Sequence, residues 1–303
     1  MIKVENLTKS YGAIQALRGV SFEIDAGEIV GLLGPNGAGK STTIKILTGY
    51  IHPDGGQVTV DSCNVLTHPL DAQSRIGYLS ENTPLYPALS VQSYLKLMAE
   101  LRLIPAIDQL SAISEAIYAT GLEQYRTRPI GQLSKGLRQR VGIAQAILHK
   151  PPVIILDEPT IGLDPMQIIE IRRLIQRLAQ HSTILLSSHI LGEVETVCNR
   201  VIIITNGQVR TNARLNELSA TMNTILVLQT SVDDAIGHLS KVNNVEKVEA
   251  FENRDGYPAF RIVSQTDIAT RIYDLACAEN WPLRELRYEV VTLESIFNSL
   301  VRA

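Results

Sequence analysis

The stretch Gly34-Pro35-Asn36-Gly37-Ala38-Gly39-Lys40-Ser41-Thr42 constrains this chain more tightly than any other. It follows the apolar run Glu28 to Leu33 and leads into Thr43, Ile44 and Leu47, whose spacing predicts a helix. A buried strand, a glycine-rich turn and a helix N-terminus in that order make a cradle for phosphate. Glycine is needed because backbone N–H groups must converge on phosphate oxygens, where a Cβ would obstruct them. Lys40 brings a point charge to the β and γ phosphates of a nucleotide, and the Ser41 hydroxyl is suited to Mg²⁺. With glycine at about 7% of residues, a chance match in a chain of this length is on the order of 1 in 100.

A second apolar run, Val153-Ile154-Ile155-Leu156, ends directly in Asp157 and Glu158. Runs of this kind, apolar on both faces, are the strands of a parallel sheet covered by helices, and Thr183 to Leu186 is another. Open sheets of that class bind ligands at the carboxyl ends of their strands, where both acids fall. Asp157 is then the acid expected to hold Mg²⁺, and Glu158 the general base that polarises a water attacking the γ-phosphate. Without the phosphate loop, two acids ending a strand would as readily be solvent-facing.

Between these landmarks, about residues 90–150 read as mainly helical. Ser90 is placed to cap a helix with Val91, Tyr94, Leu95, Met98 and Leu101 on one seam, and Gly121 to terminate a second. A third begins near Ser134 and must stop before Pro151-Pro152. From Thr224 the rhythm changes to strand 224–230, helix 233–241, strands 245–251 and 259–264 about an Asn253-Arg254-Asp255-Gly256 turn, helix 268–280 and strand 283–290. That β-α-β-β-α-β order predicts a ferredoxin-like α+β unit, followed by a last helix from Leu293 to Val301. Two domains, 1–220 and 221–303, are expected. The second carries no glycine loop or metal spacing, and Asp233-Asp234 reads as an acidic first helical turn. A free edge of its sheet would suit pairing with a copy or binding of a small effector.

Other classes are disfavoured. A net charge of −3 gives no footprint for nucleic acid. No apolar run approaches the ~18–20 residues of a membrane span. The alternating Met1–Leu7 lacks the apolar core of a secretory signal, so a cytosolic location is expected. Cys63, Cys198 and Cys277 are too scattered for a disulfide framework or a zinc site.

Leu133-Ser134-Lys135-Gly136-Leu137, followed by Arg138-Gln139-Arg140, resembles the signature sequence of ABC (ATP-binding cassette) ATPases, usually Leu-Ser-Gly-Gly-Gln. The resemblance covers roughly residues 1–220. It implies a P-loop NTPase α/β core with an N-terminal β subdomain and a helical signature subdomain, binding ATP and Mg²⁺. It further implies that Tyr11 stacks on adenine, that Glu81 joins Ser41 and Asp157 around the metal, and that His189 contacts the γ-phosphate. Ser134 and Gly136 would face the nucleotide of a second nucleotide-binding domain, and the loop Gly162-Leu163-Asp164 would contact that same partner. The segments Ile76 to Tyr86 and Thr292 to Phe297 are similar to those of the bacterial multidrug, sodium-export and gliding-motility branch.

The expected function is therefore the ATP-hydrolysing subunit of an exporter, peripheral on the cytoplasmic face of the membrane and working with a separate transmembrane permease. A soluble relative acting on ribosomes or DNA is the alternative. It fits less well, because there is one phosphate loop and no heptad insertion between Ser41 and Leu133. Two departures stand out. Glu81 occupies a position that is usually Gln, and Lys135 and Leu137 replace Gly and Gln of the signature, leaving Lys135 either near a partner's phosphates or in solvent.

Overall fold

The computed structural model describes residues 1–218, 223–253, 255–289 and 292–302, in two compact units, Met1–Ala213 and Arg214–Ala303. In the first unit the strands are β1 (Ile2–Tyr11), β2 (Ile14–Ile24), β3 (Ile29–Leu33), β4 (Gly55–Val60), β5 (Cys63–Asn64), β6 (Ile76–Leu79), β7 (Val153–Asp157), β8 (Thr183–Ser187), β9 (Arg200–Thr205) and β10 (Gln208–Arg214). They form two sheets.

The antiparallel sheet, in order β2-β1-β4-β5, has alternating burial along β1 and β2, as expected for a sheet with one face on a core. The other sheet runs β10-β9-β3-β8-β7-β6, and its pairs β9–β3, β3–β8, β8–β7 and β7–β6 are parallel. Every residue of β3, β7 and β8 is buried, which is why these strands read as unbroken apolar runs. A core that includes Ile2, Leu7, Leu17, Leu32, Ile44 and Ile155 joins the two sheets around the Lys40–Leu47 helix.

The helices Val91–Leu101, Ala106–Thr120 and Lys135–Ile147 share a separate core built on Tyr94, Leu95, Ile117 and Val141. Ser90 caps the first, accepting from the Ser93 N–H at 3.2 Å, and Gly121 ends the second with φ 66°. The seam differs from the expected one at its end. Ala99 is buried and Leu101 is 67% exposed: the two lie on opposite flanks of the seam, and the core packs on the Ala99 flank.

The second unit contains β11 (Asn223–Leu228), β12 (Val245–Glu252), β13 (Pro258–Ser264) and β14 (Leu283–Glu289) in the order β12-β13-β11-β14, all antiparallel. With the helices Ala235–Ser240 and Ala269–Ala278 packed on Leu226, Phe260 and Ile262, this is the ferredoxin-like arrangement. The acidic first turn is not found. Asp234 sits before the helix with φ 52°, and its carboxylate lies over Gly237, so Asp233 and Asp234 precede the helix and do not form its first turn. The expected boundary at 220, Arg254 of the turn and Val290 of the last strand lie outside the described residues. Among the described residues, no helix is long and apolar enough to cross a membrane.

Candidate functional site

The phosphate loop bends sharply between β3 and the Lys40–Leu47 helix. Gly37 and Gly39 take φ of 79° and 111°, a region closed to most side-chain-bearing residues. Close packing adds a second constraint. A Cβ at Gly39 would lie 2.6 Å from Leu17 Cδ2 and 2.8 Å from the Ala16 carbonyl, and one at Gly34 would strike the Ile204 carbonyl. The loop thus presents bare backbone, as a cradle for phosphate must.

Lys40 is only 7% exposed and donates to the carbonyls of Gly34, at 2.6 Å, and Pro35, at 3.2 Å. Burial pushes its pKa down, opposed by the carboxylates of Glu158, Asp157 and Glu81. A cation partly stripped of water beside three acids is suited to an anion carrying its own counter-cation.

The acids come from neighbouring strand ends. Asp157 closes β7, and its Oδ1 accepts from the Ser187 hydroxyl at 2.6 Å. The same hydroxyl accepts from the Glu158 N–H at 2.9 Å, so its one proton is committed to Asp157. Burial and Glu81 raise the Asp157 pKa, while Ser187, Lys40 and Lys45 pull it back. Glu158 has φ 50°, a left-handed conformation that needs support from its surroundings. Its Oε2 lies 2.8 Å from His189 Nδ1, which donates when that nitrogen carries the proton.

Two adjoining clefts collect most of the expected residues, whereas Gly34 and Pro35 line neither and instead accept from the Lys40 ammonium through their carbonyls. One, of 490 Å³, is lined by Tyr11, Asn36 through Thr42, Glu81, Glu158 and His189. The other, of 710 Å³, is lined by Ser41, Glu81, Asp157, Tyr78, Tyr86 and Tyr94 among others. Ser41 and Glu81 border both. One hydroxyl and two carboxylates suit Mg²⁺, which keeps several waters and shares phosphate oxygens, so an all-protein cage is unnecessary. Among the described residues no cluster of three or more His, Cys, Asp or Glu forms such a cage.

Ser134 and Gly136 do not line either of these clefts. Ser134 caps the Lys135–Ile147 helix by accepting from the Leu137 N–H at 3.2 Å, and a Cβ on Gly136 would lie 2.6 Å from the Gln167 side chain. Lys135 is exposed at its residue level, and its ammonium lies over Gly162, so it projects across that loop. Asp164 caps the Pro165–Leu178 helix through the Gln167 N–H at 2.9 Å.

Sequence reasoning missed Glu193, a buried acid bonded to Thr160 and Ser188. Its signal was available: it lies four residues before Val197 and so shares the inward face of that helix.

Comparisons with known proteins give the family. The family model described as ABC transporter matches residues 17–161. The linearmycin resistance ATP-binding protein LnrL of Bacillus subtilis is 30% identical across 99% of this chain and 98% of its own. The bacitracin transport ATP-binding protein BcrA of Bacillus licheniformis is 40% identical over 69% of this chain and 68% of its own. Among solved structures, the ATP-binding subunit of an ABC transporter superposes with a TM-score of 0.66 at 32% identity, covering 72% of this chain and 91% of that one. The dimeric ATP-binding cassette MJ0796 in a post-hydrolysis state with ADP and Pi gives 0.65 at 27%, covering 71% and 99%. This chain belongs to the ABC transporter family, as an ATP-binding and ATP-hydrolysing subunit.

Proposed function

We propose that this subunit drives an exporter from the cytoplasmic face of the membrane, working with a separate transmembrane permease and a second nucleotide-binding domain. The observation that carries the mechanism is the single cleft that brings the glycine loop, Lys40, Ser41, Glu81, Glu158 and His189 together. Relatives named for bacitracin transport and linearmycin resistance support the export direction.

In this reading Tyr11, 49% exposed at the end of β1, offers its ring to adenine. Gly34 to Gly39 and Thr42 hold the phosphates, and Lys40 neutralises the β and γ groups. Ser41, Asp157 and Glu81 would hold Mg²⁺, which would neutralise charge on the phosphates. Glu158 accepts a proton from the attacking water, and His189 keeps that carboxylate aimed while it reaches the γ-phosphate. Ser134 and Gly136, which do not line this cleft, serve the nucleotide held by the second domain. ATP then becomes part of the interface.

The permease docks on the helical face within residues 90–130. This face leaves Leu103, Ile107 and Leu110 at 86%, 89% and 77% exposed, an apolar stretch unusual for surface left in water. Ile107→Glu combined with Leu110→Glu should abolish membrane co-purification and spare basal ATPase activity, since neither side chain contributes to the core. Retained co-purification would place the interface elsewhere.

Residues 221–303 act as an accessory domain that modulates or pairs the motor and performs no chemistry. Truncation near residue 220 should leave nucleotide affinity and Glu158-dependent turnover in place while altering dimer stability or regulation. Calorimetric titration with ATP checks this, and a folded truncation that no longer binds ATP would assign part of the active site to those residues.

A further inference from the structure

Three buried polar side chains from three segments meet at a single oxygen. Glu193, on the Leu191–Val197 helix, is 4% exposed. Its Oε2 accepts from the Thr160 hydroxyl at 2.5 Å and from the Ser188 hydroxyl at 3.1 Å. Thr160, 4% exposed, lies two residues past Glu158, and Ser188, fully buried, directly precedes His189. The Ser188 hydroxyl also accepts from the Ile190 N–H at 3.0 Å, so its one proton is committed to Glu193.

The other oxygen of Glu193 is buried without a hydrogen bond. An apolar residue of similar volume would avoid that desolvation cost, so packing alone does not account for an acid here. The helix bearing it is seated on the central sheet: a Cβ at Gly31 of β3 would lie 2.5 Å from Val194 Cγ1 and 3.2 Å from Cys198 Sγ. Glu193 is thus a fixed post to which two loops are tied.

Those loops carry the two groups whose separation matters for hydrolysis. Ser187 ties Asp157 to the Glu158 backbone on one side of the left-handed Glu158, and the Thr160–Glu193 bond ties the chain on the other side. We propose that Glu193 is a positioning residue for ATP hydrolysis, locking the loop after β7 to the loop after β8 so that Glu158 and His189 stay within hydrogen-bond reach. It touches neither nucleotide nor the attacking water. This inference rests on the assignment of Glu158 as the base.

Its test uses three variants of the full chain, read by steady-state ATPase kinetics and by titration with a fluorescent ATP analogue. Thr160→Val, which keeps the volume and removes one hydroxyl, should lower kcat about tenfold with KM and nucleotide affinity within about twofold of wild type. Glu193→Leu, lacking any acceptor, should lower kcat at least as far, and adding Thr160→Val to it should cost little more, because the shared bond is already gone. Glu193→Gln keeps a carbonyl oxygen able to accept both hydroxyls and should retain kcat within about threefold. Unchanged kcat in Thr160→Val and Glu193→Leu overturns the proposal, as does a parallel fall in kcat and nucleotide affinity, or a Gln variant as damaged as the Leu variant. Glu158→Gln measured alongside separates the two readings. Turnover lost there but intact in Thr160→Val overturns the clamp alone, whereas turnover retained in Glu158→Gln overturns the base assignment and the clamp together.

Discussion

Glu158→Gln is expected to lower ATP turnover by about 10²–10⁴-fold while nucleotide affinity stays within about twofold of wild type. The neutral amide is nearly isosteric and can still meet His189, so the fold and the cradle are undisturbed. What disappears is a carboxylate able to take the proton of the attacking water. The groups proposed to hold the phosphates, Lys40 and the glycine loop, line the same cleft and are left in place by the substitution. Single-turnover phosphate release and calorimetric titration with ATP separate the two effects. A variant that keeps most of its turnover removes Glu158 from the role of base, and one that loses binding would make it a ligand of the nucleotide.

Lys40→Ala is expected to act on the other half of the reaction, weakening ATP binding by about 100-fold or more. A charge-assisted hydrogen bond contributes about 1.5–3 kcal/mol, and a buried cation able to meet both β and γ phosphates makes more than one. Each 1.4 kcal/mol is tenfold in affinity. Lys40 is 7% exposed, so water does not readily replace the missing ammonium, and the loop carbonyls of Gly34 and Pro35 lose their donor as well. The folded state should tolerate the change, since the lysine was held there at a desolvation cost. Equilibrium binding of a fluorescent ATP analogue checks this, and an affinity within about threefold of wild type would count against the phosphate-loop assignment.

The residues legible in the sequence are those whose chemistry leaves a local pattern. Gly37 and Gly39 are needed for positive φ, and β3, β7 and β8 are buried on both faces, so both features show in neighbouring letters. The ferredoxin-like unit was legible for the same reason, as alternation broken by turns. Features that depend on packing between distant segments were less so. Leu101 fits the helical seam yet faces out, because the core packs on the opposite flank of that seam, at Ala99. Asp234 looks like a first-turn acid, but its left-handed backbone places it before the helix. Glu193 differs from its neighbour Glu195 in the helix face it occupies, and its partners Thr160 and Ser188 come from the loops after β7 and β8, outside its own helix. Ser134 and Gly136 carry a local signature, while the cleft we propose they serve lies on a second nucleotide-binding domain.

The central proposal, that ATP is held between two copies of this nucleotide domain, is tested most directly by the solution mass of Glu158→Gln with and without ATP. Light scattering on the purified chain, of 33.3 kDa, should report a monomer in nucleotide-free buffer and twice that mass once ATP and Mg²⁺ are added. The double variant with Lys40→Ala should stay monomeric in both conditions. A Glu158→Gln protein that binds ATP by calorimetry and yet remains at the monomer mass would contradict the account.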